Sequence, residues 1–116
     1  MDDEAPRTDE RFAAIVDRHV ADPRVTTGTG FGANPGLRVD GRIFAMLVRG
    51  LLVVKLPERR VDELTTEGVA VRFDAGKGRP MREWAAVSAS AAASWDALVS
   101  EAREYAGGDS SARYER

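Results

Sequence analysis

The chain is 116 residues long and 43% hydrophobic, and its 17 Lys or Arg against 19 Asp or Glu leave a formal charge of −2. That length and composition describe one ordinary globular domain with no room for a second, and the balanced charge gives no overall pull toward nucleic acid. With no cysteine in the chain, disulfides, thiolate nucleophiles and cysteine-ligated metals are excluded, which fits a reducing, cytoplasmic setting.

Five acids and two arginines in residues 1–11 read as a solvated lead-in, without the basic-then-apolar pattern of a secretory leader. The folded domain is expected over residues 11–106, between a disordered lead-in at 1–10 and a disordered tail at 107–116. Phe12, Ile15, Val16, His19 and Val20 recur at helical spacing, so residues 9–21 predict a helix with one buried stripe, stopped by Pro23. Threonines and glycines over residues 25–31 predict a strand that needs small residues for a bulge or a close backbone approach. Asn34-Pro35-Gly36 then marks a turn.

Asp40-Gly41 between the apolar runs 37–39 and 43–48 suits a type I′ hairpin, and Arg49-Gly50 makes a second tight turn before residues 51–56. These three strands predict a meander. The apolar run 43–48 is far short of the roughly 20 residues that cross a bilayer, so no membrane partner is expected. Pro57 suits a first helical position, Val61 and Leu64 give the short helix its apolar face, and Gly68 ends it. Residues 69–73 and 84–87 predict two further strands. Ser88 or Ser90 should cap a helix to Ala106, with Trp95, Leu98, Val99, Ala102 and Tyr105 inward and Gly107-Gly108 as terminator. The order α-β-β-β-β-α-β-β-α alternates too little for parallel βαβ units. The fold class expected is α+β, two layers, with helices packed on a mostly antiparallel sheet.

Several segments resemble chemistry and lose the resemblance in context. Gly28, Gly30 and Ala33 have the dinucleotide-fingerprint spacing, but Pro35 and Gly36 follow where a helix should open, and residues 51–54 are apolar where a ribose-binding acid should stand. His19, the one histidine, lies on the apolar stripe and reads as a packed core or helix-end residue. Glu58, Asp62, Glu63 and Glu67 interleave with Arg59 and Arg60, a salt-bridged helix face with an Arg59–Glu63 pair at i,i+4. Trp84, Trp95 and Phe44 fall at positions expected to be buried. Residues 76–82, Gly-Lys-Gly-Arg-Pro-Met-Arg, combine two glycines with three cations, the composition of an anion-binding nest. Lys77, Arg79 and Arg82 are therefore the candidate ligand-binding residues. The competing reading is a β-connection turned by glycine, stiffened by Pro80 and kept wet by its cations.

The segment from Arg72 to Trp84, with Phe31-Gly32, Gly36-Leu37, Val39-Asp40-Gly41, Phe44-Ala45 and Val54-Lys55-Leu56, resembles the TfoX (Sxy) N-terminal domain family over about residues 11–106. The chain reads as a standalone, single-domain member, with Gly30 where many relatives have methionine. The resemblance implies an α+β layer, a bacterial regulatory context and no catalytic residues to carry over. In the better-known regulators this domain precedes a helical second domain, and the whole protein assists the cyclic-AMP receptor protein at competence promoters.

The reading that follows is a non-enzymatic, cytoplasmic regulatory or protein-interaction module with no cofactor and no metal. Its partner is a protein, and a homodimer through an uncovered apolar face belongs to the same reading. The alternative is nucleic acid or a phosphorylated small molecule bound by the Gly76-to-Arg82 loop. An enzyme built on His19 would require that residue to be exposed in a cleft.

Overall fold

A computed structural model of the chain describes residues 8–28, 35–74, 78 and 80–107. The predicted order holds: α1 (Thr8–His19), β1 (Val25–Thr27), β2 (Gly36–Val39), β3 (Arg42–Val48), β4 (Leu51–Lys55), α2 (Glu58–Thr66), β5 (Ala70–Arg72), β6 (Trp84–Val87) and α3 (Trp95–Gly107). Every strand pairing is antiparallel, in the order β1-β2-β3-β4-β6-β5. Strands β2, β3 and β4 form the expected meander. Beyond it, β6 takes the place next to β4 and sends β5 to the edge, so β5 runs parallel to β4 with α2 carrying the crossover.

Both hairpins are set by backbone handedness. Asp40 and Gly41 have φ of +52° and +82°, and Arg49 and Gly50 repeat the pattern at +52° and +79°. Two successive left-handed residues give a turn whose twist matches the flanking strands. Between Leu37 and Arg38 the β2–β3 register shifts, because Leu37 faces Ala45 while Arg38 faces Ile43. Phe44 is the extra residue of that bulge. It turns onto the helix side with Ala45, fully buried, and meets the His19 ring edge-on at 6.3 Å between centroids.

All three helices bury their apolar stripes in one core with the sheet. Phe12 and Ile15 come from α1, Val61 and Leu64 from α2, and Trp95, Leu98, Val99 and Ala102 from α3; they meet Leu37, Leu52, Val54 and Val87 of the strands. A fully buried side chain of this size contributes roughly 1.5–3 kcal/mol, so this layer holds the domain together. A smaller cluster of Met46, Val48, Val53 and Ala86 lies on the other face, rimmed by Leu51, Phe73 and Trp84.

Some boundaries differ from expectation for local reasons. The first strand is only Val25–Thr27, and residues 29–34 of the predicted segment lie outside the described residues. Pro57 is the N-cap of α2 rather than its first residue, with its carbonyl accepting the Val61 N–H at 3.0 Å. At the other end, Gly68 at φ +78° lets its own N–H reach Thr65 O and the Val69 N–H reach Leu64 O, the double bond of a Schellman motif. The long C-terminal helix is broken: Ala89–Ser94 is a 3₁₀ segment, non-helical at Ala91, and α3 begins at Trp95. The Ser88 hydroxyl bonds the Ser90 hydroxyl at 2.7 Å instead of capping, and the Ser88 carbonyl accepts the Trp95 indole N–H at 3.2 Å.

Candidate functional site

At one end of the sheet, where β2 and β4 finish and β3 and β6 begin, lies an open cleft of about 600 Å³. Strand alternation decides what lines it. Cross-strand partners share a face, and Arg38 pairs with Ile43 while Lys55 pairs with Trp84. Trp84 belongs to the helix-free cluster, which puts Lys55 on that side, and Arg38 alternates with Leu37 and Val39 of the helix-side core. Arg42 points to the helix side, with Tyr105 and Ala106 of α3 forming the opposite wall.

The cations are held by neutral acceptors more than by acids. Arg38 donates Nε to Gly28 O at 3.1 Å and Nη1 to Gly41 O at 3.5 Å. Arg42 Nη1 donates to Ala106 O at 3.2 Å. Lys55 Nζ lies 5.8 Å from the centre of the Trp84 ring and 3.9 Å from Glu83 Oε1. Glu83 also accepts the Tyr105 hydroxyl at 3.2 Å. Arg38, Arg42 and Lys55 thus face one carboxylate among the described lining residues, in a hollow with an indole face and the Ile43 side chain as apolar walls.

The described end of the sequence-predicted loop, residues 80–82, leads into the lining residues Glu83 and Trp84. Arg82 stands two residues before Trp84, its side chain 77% exposed and its guanidinium 3.9 Å from Glu58; Lys77 and Arg79 lie outside the described residues. Nothing places Arg82 among the lining groups. Trp95 and Phe44 are fully buried as expected, but Trp84 is only half-buried because it closes the rim of the helix-free cluster and forms a cleft wall. Tyr105 likewise leaves the expected α3 stripe. Ala106 takes the inward position at 6% exposure, in step with Trp95, Leu98, Val99 and Ala102, while Tyr105 turns to Glu83. The sequence reading missed the cleft because its residues come from four strands and a helix end, linked only by pairing register.

The other candidates resolve into structural roles. His19 is 8% exposed, packed on Phe44 with Nε2 3.9 Å from Asp96 Oδ1. Burial lowers its pKa from the ordinary value, the Arg103 charge lowers it further, and Asp96 opposes both. A buried imzidazole of this kind is a core group, so the exposed-cleft condition for an enzyme built on His19 is not met. On α2, Glu63 pairs with Arg60 at i,i+3 rather than with Arg59, because Arg60 also grips Glu101 of α3 through Nε at 2.9 Å and Nη2 at 3.2 Å. Asp62 pairs with Arg72 of β5. In the glycine-rich segment, Gly28 has φ +110°, and the next described element is the strand β2, not a helix that could hold a pyrophosphate. Among the described residues no cluster of His, Asp or Glu has metal-holding geometry. No described helix is long and apolar enough to cross a membrane.

Comparison of the chain with protein-family models, with curated proteins and with solved structures finds no match.

Proposed function

We propose that this chain is a TfoX N-terminal-like, non-enzymatic regulatory module acting through contact with a protein partner at β5 and the connection into β6. The carrying observation is what that edge exposes. Val71 on β5 is 63% exposed and Met81 40% exposed, and the next residue, Arg82, has its side chain 77% exposed. The Met81 N–H donates to Phe73 O at 2.8 Å, which continues the β5–β6 pairing past Trp84 and places Met81 across from Phe73, two residues beyond Val71. Methionine and arginine at an exposed apolar edge are the residues that interface centres favour. The partner that fits presents an apolar contact ringed by acids. The regulatory context, transcription or competence, rests on the residue resemblance alone.

Site-specific photocrosslinking in the native host tests this. Benzoylphenylalanine replacing Met81 should yield one discrete protein adduct that is absent with the probe at Ala13, an exposed position on α1, and is lost on Arg82→Glu. Identical adducts from both positions, or an adduct indifferent to Arg82→Glu, would overturn the reading.

A further inference from the structure

The cleft at the sheet end has neither Val71 nor Met81 among its lining residues and has a different chemistry. Its arginines are each partly engaged, Arg38 through Nε by Gly28 O and through Nη1 by Gly41 O, and Arg42 through Nη1 by Ala106 O. A guanidinium has five N–H donors, so both retain donors for a further acceptor while their positions stay fixed. Lys55 is held loosely: Glu83 at 3.9 Å lies beyond hydrogen-bond length, and the ammonium is otherwise steadied by the Trp84 ring. Three cations against Glu83 leave a local surplus of two positive charges among the described lining residues, in a chain whose formal charge is −2. That surplus matches a phosphate monoester, which carries roughly 1.5–2 negative charges at neutral pH, and arginine forks suit its tetrahedral oxygens.

The walls specify the rest of the ligand. Trp84 lines the cleft as a partly exposed indole with the Lys55 ammonium over its ring at 5.8 Å, and Ile43 adds an apolar wall near Arg38. A flat ring can stack on an indole, the contact that holds bases in single-stranded nucleic-acid sites. The volume of about 600 Å³ falls in the usual range for small-molecule sites. The negative end of α3 would oppose an anion, but its last carbonyls are already engaged, Ala106 O by Arg42 and Gly107 O by Arg24 at 3.2 Å each.

We infer that this cleft binds a phosphorylated small molecule with a flat ring, of nucleoside-monophosphate size, its phosphate among Arg38, Arg42 and Lys55 and its ring on Trp84. Glu83, 3.9 Å from the Lys55 ammonium, is then a competitor of the phosphate for that charge. This inference does not rest on the protein-partner reading, whose probe site at Met81 lies outside the cleft lining.

Amide and indole NMR of the isotope-labelled full chain, titrated separately with inosine monophosphate, inosine, inorganic phosphate and a short DNA duplex, tests it. Inosine monophosphate should shift the Trp84 indole N–H and the Arg38 and Lys55 amides saturably, and bind about tenfold tighter than inosine or phosphate alone, a difference of about 1.4 kcal/mol. Raising salt should weaken it. Lys55→Met should reduce affinity about tenfold and Glu83→Gln should increase it severalfold, the second readout guarding against a variant that merely loses structure. A Trp84 indole unmoved at millimolar inosine monophosphate overturns the inference. So does tighter binding of the duplex, equal binding of inorganic phosphate, or shifts confined to residues 76–82 and untouched by Lys55→Met.

Discussion

Replacing Arg49 by asparagine should stabilise the domain. Arg49 and Gly50 are the two central residues of the β3–β4 turn, at φ +52° and +79°. A residue with a Cβ held in the left-handed region carries a cost of about 1–2 kcal/mol. The arginine side chain is exposed, and among the described residues no hydrogen bond or ion pair to its guanidinium offsets that cost. Asparagine visits the same region readily, because its short amide bonds the local backbone, so about half of the cost, roughly 0.5–1 kcal/mol, should be recovered. For a domain of this size that is a rise of about 2–4 °C in Tm. Arg49→Gly relieves all of the strain but adds about 0.5–1 kcal/mol of unfolded-state entropy, so its net gain should match that of Arg49→Asn. The matching exchange at Asp40, also at φ +52°, should have the opposite sign. There the carboxylate accepts Arg24 Nε at 3.1 Å, and that bond holds its pKa below the ordinary value; an amide keeps one acceptor oxygen but loses the charge that strengthens the bond. Thermal melts and urea midpoints of the three variants read the order directly. If Arg49→Asn melts below wild type at an unchanged m-value, left-handed strain is not what limits this turn.

Two further outcomes follow from packing and charge. Gly107→Ala should destabilise by about 1–3 kcal/mol, the range for overpacking a filled site, since the added Cβ meets Val39 Cγ2 at 3.0 Å and Arg24 Nη2 at 3.3 Å; urea unfolding checks it, and an unchanged midpoint would mean that Val39 yields freely. Stability should also fall as pH drops below about 6.5, the ordinary histidine value. The fold disfavours protonated His19 through burial and through Arg103 and Arg18, against which Asp96 acts alone, so its folded pKa is lowered; the contribution is complete above the unfolded value and declines until the folded value is passed. His19→Gln should flatten urea midpoints across that window, and a wild-type profile retained in the variant would assign the dependence elsewhere.

What could be read from the residues was what neighbours in sequence decide. Asp40-Gly41 and Arg49-Gly50 announce tight hairpins because type I′ geometry is a property of two adjacent residues, and both have the required positive φ. The α1 and α2 stripes were legible from spacing, since Phe12, Ile15 and His19, or Val61 and Leu64, need only a helix and one apolar neighbour. The insertion of β6 between β4 and β5 was not legible, because it depends on Ala85 and Val87 matching Val54 and Leu52 across more than 30 residues. The Phe44 bulge and the break at Ala91 are likewise tertiary: one is set by the β2 partner, the other by an indole reaching Ser88 O. The basic loop was visible as composition, yet the cleft beside it draws its cations from β2, β3 and β4.

The arginine preference of the chain acquires a geometric content in the same way. Lysine occurs twice, at Lys55 and Lys77, among 17 basic residues, a bias that codon usage alone could produce. Three arginines nevertheless do what lysine cannot, because a planar fork serves two acceptors in fixed directions whereas an ammonium is a point charge. Arg24 joins the Asp40 carboxylate to Gly107 O, Arg38 joins Gly28 O to Gly41 O, and Arg60 joins Glu63 to both oxygens of Glu101. Arg42 closes Ala106 O, the carbonyl next to the one that Arg24 holds. Arg24, Arg38 and Arg42 thereby tie the β2–β3 turn to the β1 end and to the last turn of α3. The walls of the cleft are thus fixed by forked donors, and the one described cation left on a flexible stem is Lys55, beside the indole. Rigid arginines around a movable lysine form a preorganised anion site whose remaining freedom lies in one side chain.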